Sequence, residues 1–222
     1  MVHFEKSQPA PECLDTEKAK AYGDYKCGDV LERAKTDFKN KCYICGYKEP
    51  SSINVEHFRP HKGNKELKFQ WENLFWSCSH CNNTKLDKYD DIINCTDINE
   101  DIENRLKITM RPFPKEIVII ESLDQNESTL STAKLLDAVF NGTTKLKTIE
   151  ASNVRNKVLD EIRDFQGHLC NYYSDGFDDD DKTNILAHIK RHLRKSSNFT
   201  AFKRWIIREN EIMKRDLEQY FD

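Results

Sequence analysis

Three groups of residues in the middle of the chain have the types and spacing to do chemistry. Cys42-Tyr43-Ile44-Cys45 and Cys78-Ser79-His80-Cys81 are two C-x2-C knuckles, with residues 46–77 between them. Each presents two thiolates from a tight turn, and together they complete the tetrahedral four-sulfur set that zinc takes in closed structural sites. A redox pair of the thioredoxin kind needs a βαβ context, which the sequence lacks. His80 is a weaker alternative for one of the four ligands. Between the knuckles, "NVEHFRP" sets Glu56 beside His57 at the end of a strand-like run. A carboxylate binds a hard cation and an imidazole takes a proton from water near neutral pH, so the pair suits metal-assisted hydrolysis. Past the second knuckle, Asn82 offers a carbonyl oxygen suited to Mg²⁺. Lys85, three residues on, shares its helical face and is a candidate phosphate contact.

These groups need elements to hold them. "DVLERAKTDFKNK" (29–41) predicts a short helix with Val30, Leu31, Ala34 and Phe38 on one face. Residues 1–28 read as irregular, punctuated by Pro9, Pro11, Gly23 and Gly28. "RLKITM" (105–110) and "EIVIIES" (116–122) predict two strands around a proline-containing bend. From about 129 onward the pattern is helical. Ser131 is the expected N-cap and Gly142 the stop of one helix; another covers 148–173, and two more cover 182–195 and 198–220. "SDGFDDDDK" between them reads as a solvated loop, without the ligand spacing of an EF-hand.

Twelve Phe, eight Tyr and three Trp in 222 residues can anchor a folded core despite a charged fraction of 33%. The net charge of −3 makes no global case for nucleic acid, but the charge is segregated. Residues 182–215 carry ten Lys or Arg against two Glu, whereas residues 93–181 carry 18 acids against ten bases. An acidic middle and a basic end suggest two different surfaces. Phe199, Phe202 and Trp205 in the basic stretch read as a core stripe, with the basic face free for phosphate or an acidic partner. No stretch has the apolar run of a signal peptide or a membrane span, which leads to the expectation of a cytoplasmic protein with no membrane partner. Eight cysteines in a reducing compartment then argue for metal before disulfides. Cys13, Cys27, Cys95 and Cys170, scattered singly, read as small core fillers. His188 and His192 have metal-binding spacing but no glutamate between them, and read as an ordinary helical face.

The order C-x2-C, Glu-His-x-x-Pro, Asn-Leu, C-x2-C-Asn-x-x-Lys over roughly residues 40–90 resembles the HNH endonucleases, the ββα-metal nucleases with a zinc-knuckle staple. The resemblance implies an α+β, mainly helical chain. A zinc-stapled ββα-metal HNH core occupies 39–92, after an N-terminal extension with a short helix (1–38). A short hairpin and a helical partner- or nucleic-acid-binding region follow (93–222). By that resemblance His57 is the general base and Glu56 the acidic metal ligand. Asn73 orients the catalytic loop and His57, and Asn82 is the second metal ligand, with Asn83 as substitute if the register differs by one. Many members have His where this chain has Asn82, and the exchange favours Mg²⁺ or Mn²⁺ over softer metals. The implied reaction is phosphodiester hydrolysis leaving 5′-phosphate and 3′-hydroxyl ends, on DNA in preference to RNA. Arg59, His61 and Lys85 are the expected phosphate contacts.

"CGDVLERAKTDFKNKCYICG" and the tail containing "LLDAVFNGTTKLKTIEASNVRNKVLDEI" are similar to the PtuB-type HNH subunits of Septu and retron-associated anti-phage systems. That resemblance implies a PtuA-like ABC-type ATPase as partner, since the chain has no Walker-type glycine loop of its own. The competing expectation is a non-catalytic zinc-stapled module that binds nucleic acid or protein.

Overall fold

In the computed structural model, which describes all 222 residues, the segment between the knuckles is a hairpin followed by a helix. Strands β1 (Ile53–His57) and β2 (Leu74–Cys78) pair antiparallel, with Val55 opposite Trp76 and His57 opposite Leu74. Every residue of β2 is buried, its apolar-aromatic Leu74–Trp76 run and Ser77 alike. Helix α4 (Ser79–Lys85) starts directly at the end of β2, with Cys78 as its N-cap. The hairpin connection carries α3 (Lys65–Phe69) and a 3₁₀ turn, Trp71–Asn73.

Ahead of this unit lie α1 (Cys13–Ala19) and α2 (Gly28–Asp37). The expected helix over 29–41 stops at Asp37 because Lys39 and Asn40 take left-handed backbone angles, which turn the chain into the first knuckle. Val30, Ala34 and Phe38 are fully buried, but Leu31 is exposed. Residues 1–8 form no helix or strand, yet Met1, Val2 and Phe4 are core residues, and the Phe4 amide donates to the Cys95 carbonyl. Two cysteine expectations are corrected here: Cys13 and Cys27 are not separate core fillers but form a disulfide. Cys170 is exposed, and Cys95 alone of the four is buried as a thiol.

After a short α5 (Ile102–Arg105), β3 (Leu106–Arg111) and β4 (Ile117–Ser122) form the second hairpin. Then come α6 (Glu127–Asn141), α7 (Lys145–Tyr172), α8 (Asp179–Leu193), α9 (Thr200–Arg208) and α10 (Glu211–Leu217). Helix α6 starts a turn before Ser131, because the Ser128 and Thr129 hydroxyls accept hydrogen bonds from the Arg105 guanidinium and are packed beneath it. Gly142 ends the helix with φ +78° as expected. The acidic run is only partly loop: Asp178 caps α8 by accepting from the Asp181 amide, and three aspartates occupy the favourable first turn. The expected helix 198–220 breaks at Asn210, whose side chain accepts from the Ile212 and Met213 amides and restarts the chain as α10.

One core runs from Met1 and Phe4 through Phe38, Tyr43 and Phe75 to Phe140, Val158 and Phe202, so it draws on the N-terminal, hairpin and helical segments alike. A smaller cluster (Phe165, Leu169, Ile189, Leu193, Ile207, Leu217) joins α7 to α10. The basic tail is only in part a free face. Lys203 and Arg204 are buried: Lys203 pairs with Glu161, and Arg204 with Glu103 and Asp222. The Arg204 guanidinium also donates to the Leu193 carbonyl at 2.7 and 2.9 Å. Arg204→Ala leaves Glu103 and that carbonyl without their partner, and is expected to cost about 3–5 kcal/mol. Urea unfolding measures it; a loss under about 1 kcal/mol would mean these pairs behave as solvated surface contacts.

Candidate active site and metal centre

The four knuckle cysteines converge. Their sulfur atoms all lie within 4.8 Å of one another and every one is buried. Gly46, at φ +76°, supplies the left-handed turn that brings the first knuckle back on itself. The second pair comes from the strand–helix junction, Cys78 at the N-cap and Cys81 within α4. Burial opposes ionisation at Cys42, but hydrogen bonds from the Cys45, Cys78 and Cys81 thiols outweigh it and hold its thiol well below the usual range. Burial pushes Cys81 well above it. Four buried sulfurs gathered at one point fit a tetrahedral zinc ion. His80 takes no part: Nδ1 faces the Glu150 carboxylate at 3.0 Å and Nε2 the Val139 carbonyl at 2.8 Å, so it ties α4 to α6 and α7.

A cleft beside the knuckles is lined by Tyr25, Glu56, His57, His61 and Asn82 among others. Volume alone does not select it, since a groove beside His3 and Asn94 is larger (about 680 against 500 Å³). The chemistry does. His57 Nε2 is 2.9 Å from the Lys68 carbonyl oxygen, which only accepts, so Nε2 carries the hydrogen. Nδ1 is then the lone-pair nitrogen. Burial lowers the His57 pKa below the ordinary histidine value, against the opposing pull of that carbonyl, so the ring is neutral and able to accept a proton at neutral pH. Glu56 is almost fully buried, and its Oε1 has no hydrogen-bond partner. Burial raises its pKa to about 7, with the Lys85 ammonium opposing the shift. An orphaned carboxylate oxygen sharing a cleft with an asparagine amide is a donor set for a hard divalent cation.

Asn73 is buried beneath the turn that follows His57. Its Oδ1 accepts from the Arg59 amide at 2.7 Å, and its Nδ2 donates to the Arg59 and Leu67 carbonyls. Asn82 lines the cleft, while Asn83 is exposed outside it. His61 stands edge-on to His57 with ring centres 4.7 Å apart. Of the expected phosphate contacts, Lys85 is corrected. Lys85 is fully buried, 4.0 Å from Glu56 Oε2 and donating to the His57 carbonyl at 3.2 Å, so its ammonium braces the site from inside and cannot meet solvent phosphate. Arg59 is exposed and is not part of the cleft wall; its main chain, gripped by Asn73, is what joins the site.

Sequence reasoning missed two contributors. Tyr25 packs against His57 with ring centres 4.4 Å apart. The Lys6 ammonium, lying over the Trp71 ring, donates to the Trp71 and Leu74 carbonyls on either side of Asn73. Neither residue has a local signal; the cysteines bracketing Tyr25 are the nearest to one. Elsewhere, Asp164, His168 and His192 approach to within 4.8 Å. Lys203 donates to His192 Nδ1, however, which leaves the hydrogen on Nε2 pointing at Asp164 and no lone pair for a metal.

Zinc content measures the staple directly. The purified chain is expected to hold one zinc through dialysis, and Cys81→Ala to lose it together with the cooperative thermal transition. Full retention of a folded transition by metal-free protein would show that the hairpin does not depend on the ion.

Residues 42–88 match the family model for HNH endonuclease, a span that takes in both knuckles, Glu56, His57, Asn73 and Asn82. No curated protein matches the chain. The hairpin, the helix behind it and the four-cysteine cluster thus all lie in the span that is similar to the HNH endonuclease family, within a longer helical chain.

Proposed function

We propose that the chain is a metal-dependent endonuclease that hydrolyses phosphodiester bonds, with DNA as its substrate. The observation that carries this reading is one cleft holding a histidine with a free Nδ1 lone pair next to a buried carboxylate with an unpaired oxygen. His57 Nδ1 takes the proton from a water that attacks phosphorus, and the Lys68 carbonyl steadies the imidazolium that results. Asn73 holds the main chain after His57, and Lys85 holds the His57 carbonyl, so the base keeps its place as its charge changes. Glu56 and Asn82 would hold Mg²⁺ or Mn²⁺, which when bound stabilises charge on the phosphoryl and leaving oxygens. The products are 5′-phosphate and 3′-hydroxyl ends. The resemblance to PtuB-type subunits supports a role as effector of an anti-phage system, restrained by a PtuA-like ABC-type ATPase on a second chain.

The test is Mg²⁺-dependent cleavage of plasmid DNA and total RNA, alone and with a co-expressed ATPase. His57→Ala is expected to lower cleavage by roughly 10²–10⁴-fold. If neither protein cuts under any condition and both bind nucleic acid equally, the chain is a binding module instead.

Glu56 also makes metal binding depend on pH. Its carboxyl pKa is raised from 4.5 to about 7, so its contribution to stability is full below about pH 4.5 and is lost as pH rises through about 7. A cation at Glu56 restores what is lost. Added Mg²⁺ should therefore raise the melting temperature more at about pH 8 than at about pH 5.5, and Glu56→Gln should remove the difference. An Mg²⁺ effect independent of pH in the wild type would place the cation elsewhere.

A further inference from the structure

The Cys13–Cys27 disulfide closes a strap, residues 20–27, that leans on the catalytic cleft. It joins the first residue of α1 to the N-cap of α2. The strap is wound tightly: a Cβ on Gly23 would stand 1.8 Å from the Glu17 carbonyl oxygen, and the Asp24 amide donates to the Glu17 carboxylate at 3.0 Å. Two contacts fasten it to α3, and a third ties α1 there. Lys65 donates to the Lys20 carbonyl at 3.3 Å, Lys68 to the Gly23 carbonyl at 3.0 Å, and Lys18 pairs with Glu66. Lys68 is the link that matters, because its own carbonyl orients His57. The strap thus reaches the base twice, through Lys68 and through the Tyr25 ring packed directly against the imidazole.

Resting on the nuclease reading above, we propose that Tyr25 is a positioning residue for His57, and that the Cys13–Cys27 disulfide, by pinning the strap that carries Tyr25, makes the placement of the base redox-dependent. A thiol reductant supplies two electrons and two protons. The Cys13–Cys27 bond breaks, two thiols form, and the reductant leaves as its own disulfide. Both cysteines are only half-buried, so a thiol can reach them. The released strap keeps its α3 contacts but loses the covalent anchor, and the ring of Tyr25 no longer holds one face of His57. The imidazole then samples several orientations, and the cost falls on the chemical step more than on substrate binding.

The test uses the full chain, purified without reductant. Non-reducing peptide mapping should recover the residue 13 and 27 peptides as one linked species. Free thiols at both positions would overturn the proposal. In the ¹H–¹⁵N spectrum of the histidine rings, His57 should show ring-current-shifted signals of a single Nε2–H tautomer. Tyr25→Leu should abolish the shift, and Tyr25→Phe should restore it. The Cys13→Ser/Cys27→Ser pair, or mild reduction of the folded wild type, should reproduce the Tyr25→Leu spectrum. In cleavage assays Tyr25→Leu and the double serine variant should each lower kcat by about 10-fold with KM little changed, and combining them should add little. Cys170→Ser, an exposed thiol away from the strap, should leave kcat unchanged. His57 signals and kcat that ignore both Tyr25→Leu and reduction would sink the proposal. A wild type that cuts nothing would remove the nuclease reading, while the ring-current shift would still decide whether the strap holds His57.

Discussion

Four sulfur atoms drawn from two distant turns must meet at one buried point, and the rest of the domain is arranged around that requirement. A hairpin of two five-residue strands is marginal by itself in water. Here its open ends are closed by the sulfur cluster, which joins the turn before β1 to the junction of β2 and α4. Fixing that junction fixes the register in which Glu56 faces Phe75 and His57 faces Leu74. A one-residue slip would exchange the faces of the strand and turn His57 inward and Glu56 out. The staple also has a second shell of packing. The Phe199 amide donates to the Gly46 carbonyl, Asn198 accepts from the Lys48 amide, and Phe199 stacks on Tyr47. The C-terminal helices therefore seat on the first knuckle, so the appended helical region is structurally continuous with the hairpin unit.

The second constraint is polar. Buried main-chain groups and charges must find partners, and in this site the partners come from far along the chain. Lys6 satisfies two carbonyls flanking Asn73, Asn73 satisfies the turn after His57, and Lys85 satisfies the His57 carbonyl while standing near Glu56. Glu56 Oε1 is left unpaired, as is the Tyr43 hydroxyl beside it. Burying an unpaired carboxylate oxygen costs free energy, and burial accordingly raises the Glu56 pKa to about 7.

Much of this was legible from local pattern. The knuckle spacing, the Glu56-His57 pair at a strand end, the buried run of β2 and the second hairpin all depend on neighbours within a few residues. What stayed illegible depends on partners that sequence proximity does not announce. Lys85 looked like a surface cation because it ends a short helix next to Asn82, and only the packing of α4 against β1 turns it inward. Cys13 and Cys27 looked unrelated because neither sits in a motif with a second cysteine, and it is the turn after α1 that brings them together. Ser131 looked like a cap by residue type, and the contacts of Ser128 and Thr129 with Arg105, which hold the turn before it, are a tertiary event. Asn210 was a cap hidden inside a helical pattern.

The segregation of charge along the chain has a similar lesson. An acidic middle and a basic end invite the idea of two surfaces for two partners. In the folded chain much of that charge meets itself. Arg204 reaches Glu103, Lys203 reaches Glu161, Lys107 meets Glu209, and Arg208 donates to the Glu103 carbonyl. These contacts join the α5–β3 region and α7 to α9, so opposite charges separated in sequence act as the seam between elements. A partner ATPase or a nucleic acid cannot draw on the cations spent in that seam. It has to recognise the ones left outside, such as Arg191 and Arg194 near the end of α8 and Lys214 and Arg215 on α10. Net charge over a stretch of sequence counts both kinds together. Only the fold separates those that build the interior from those that remain for recognition.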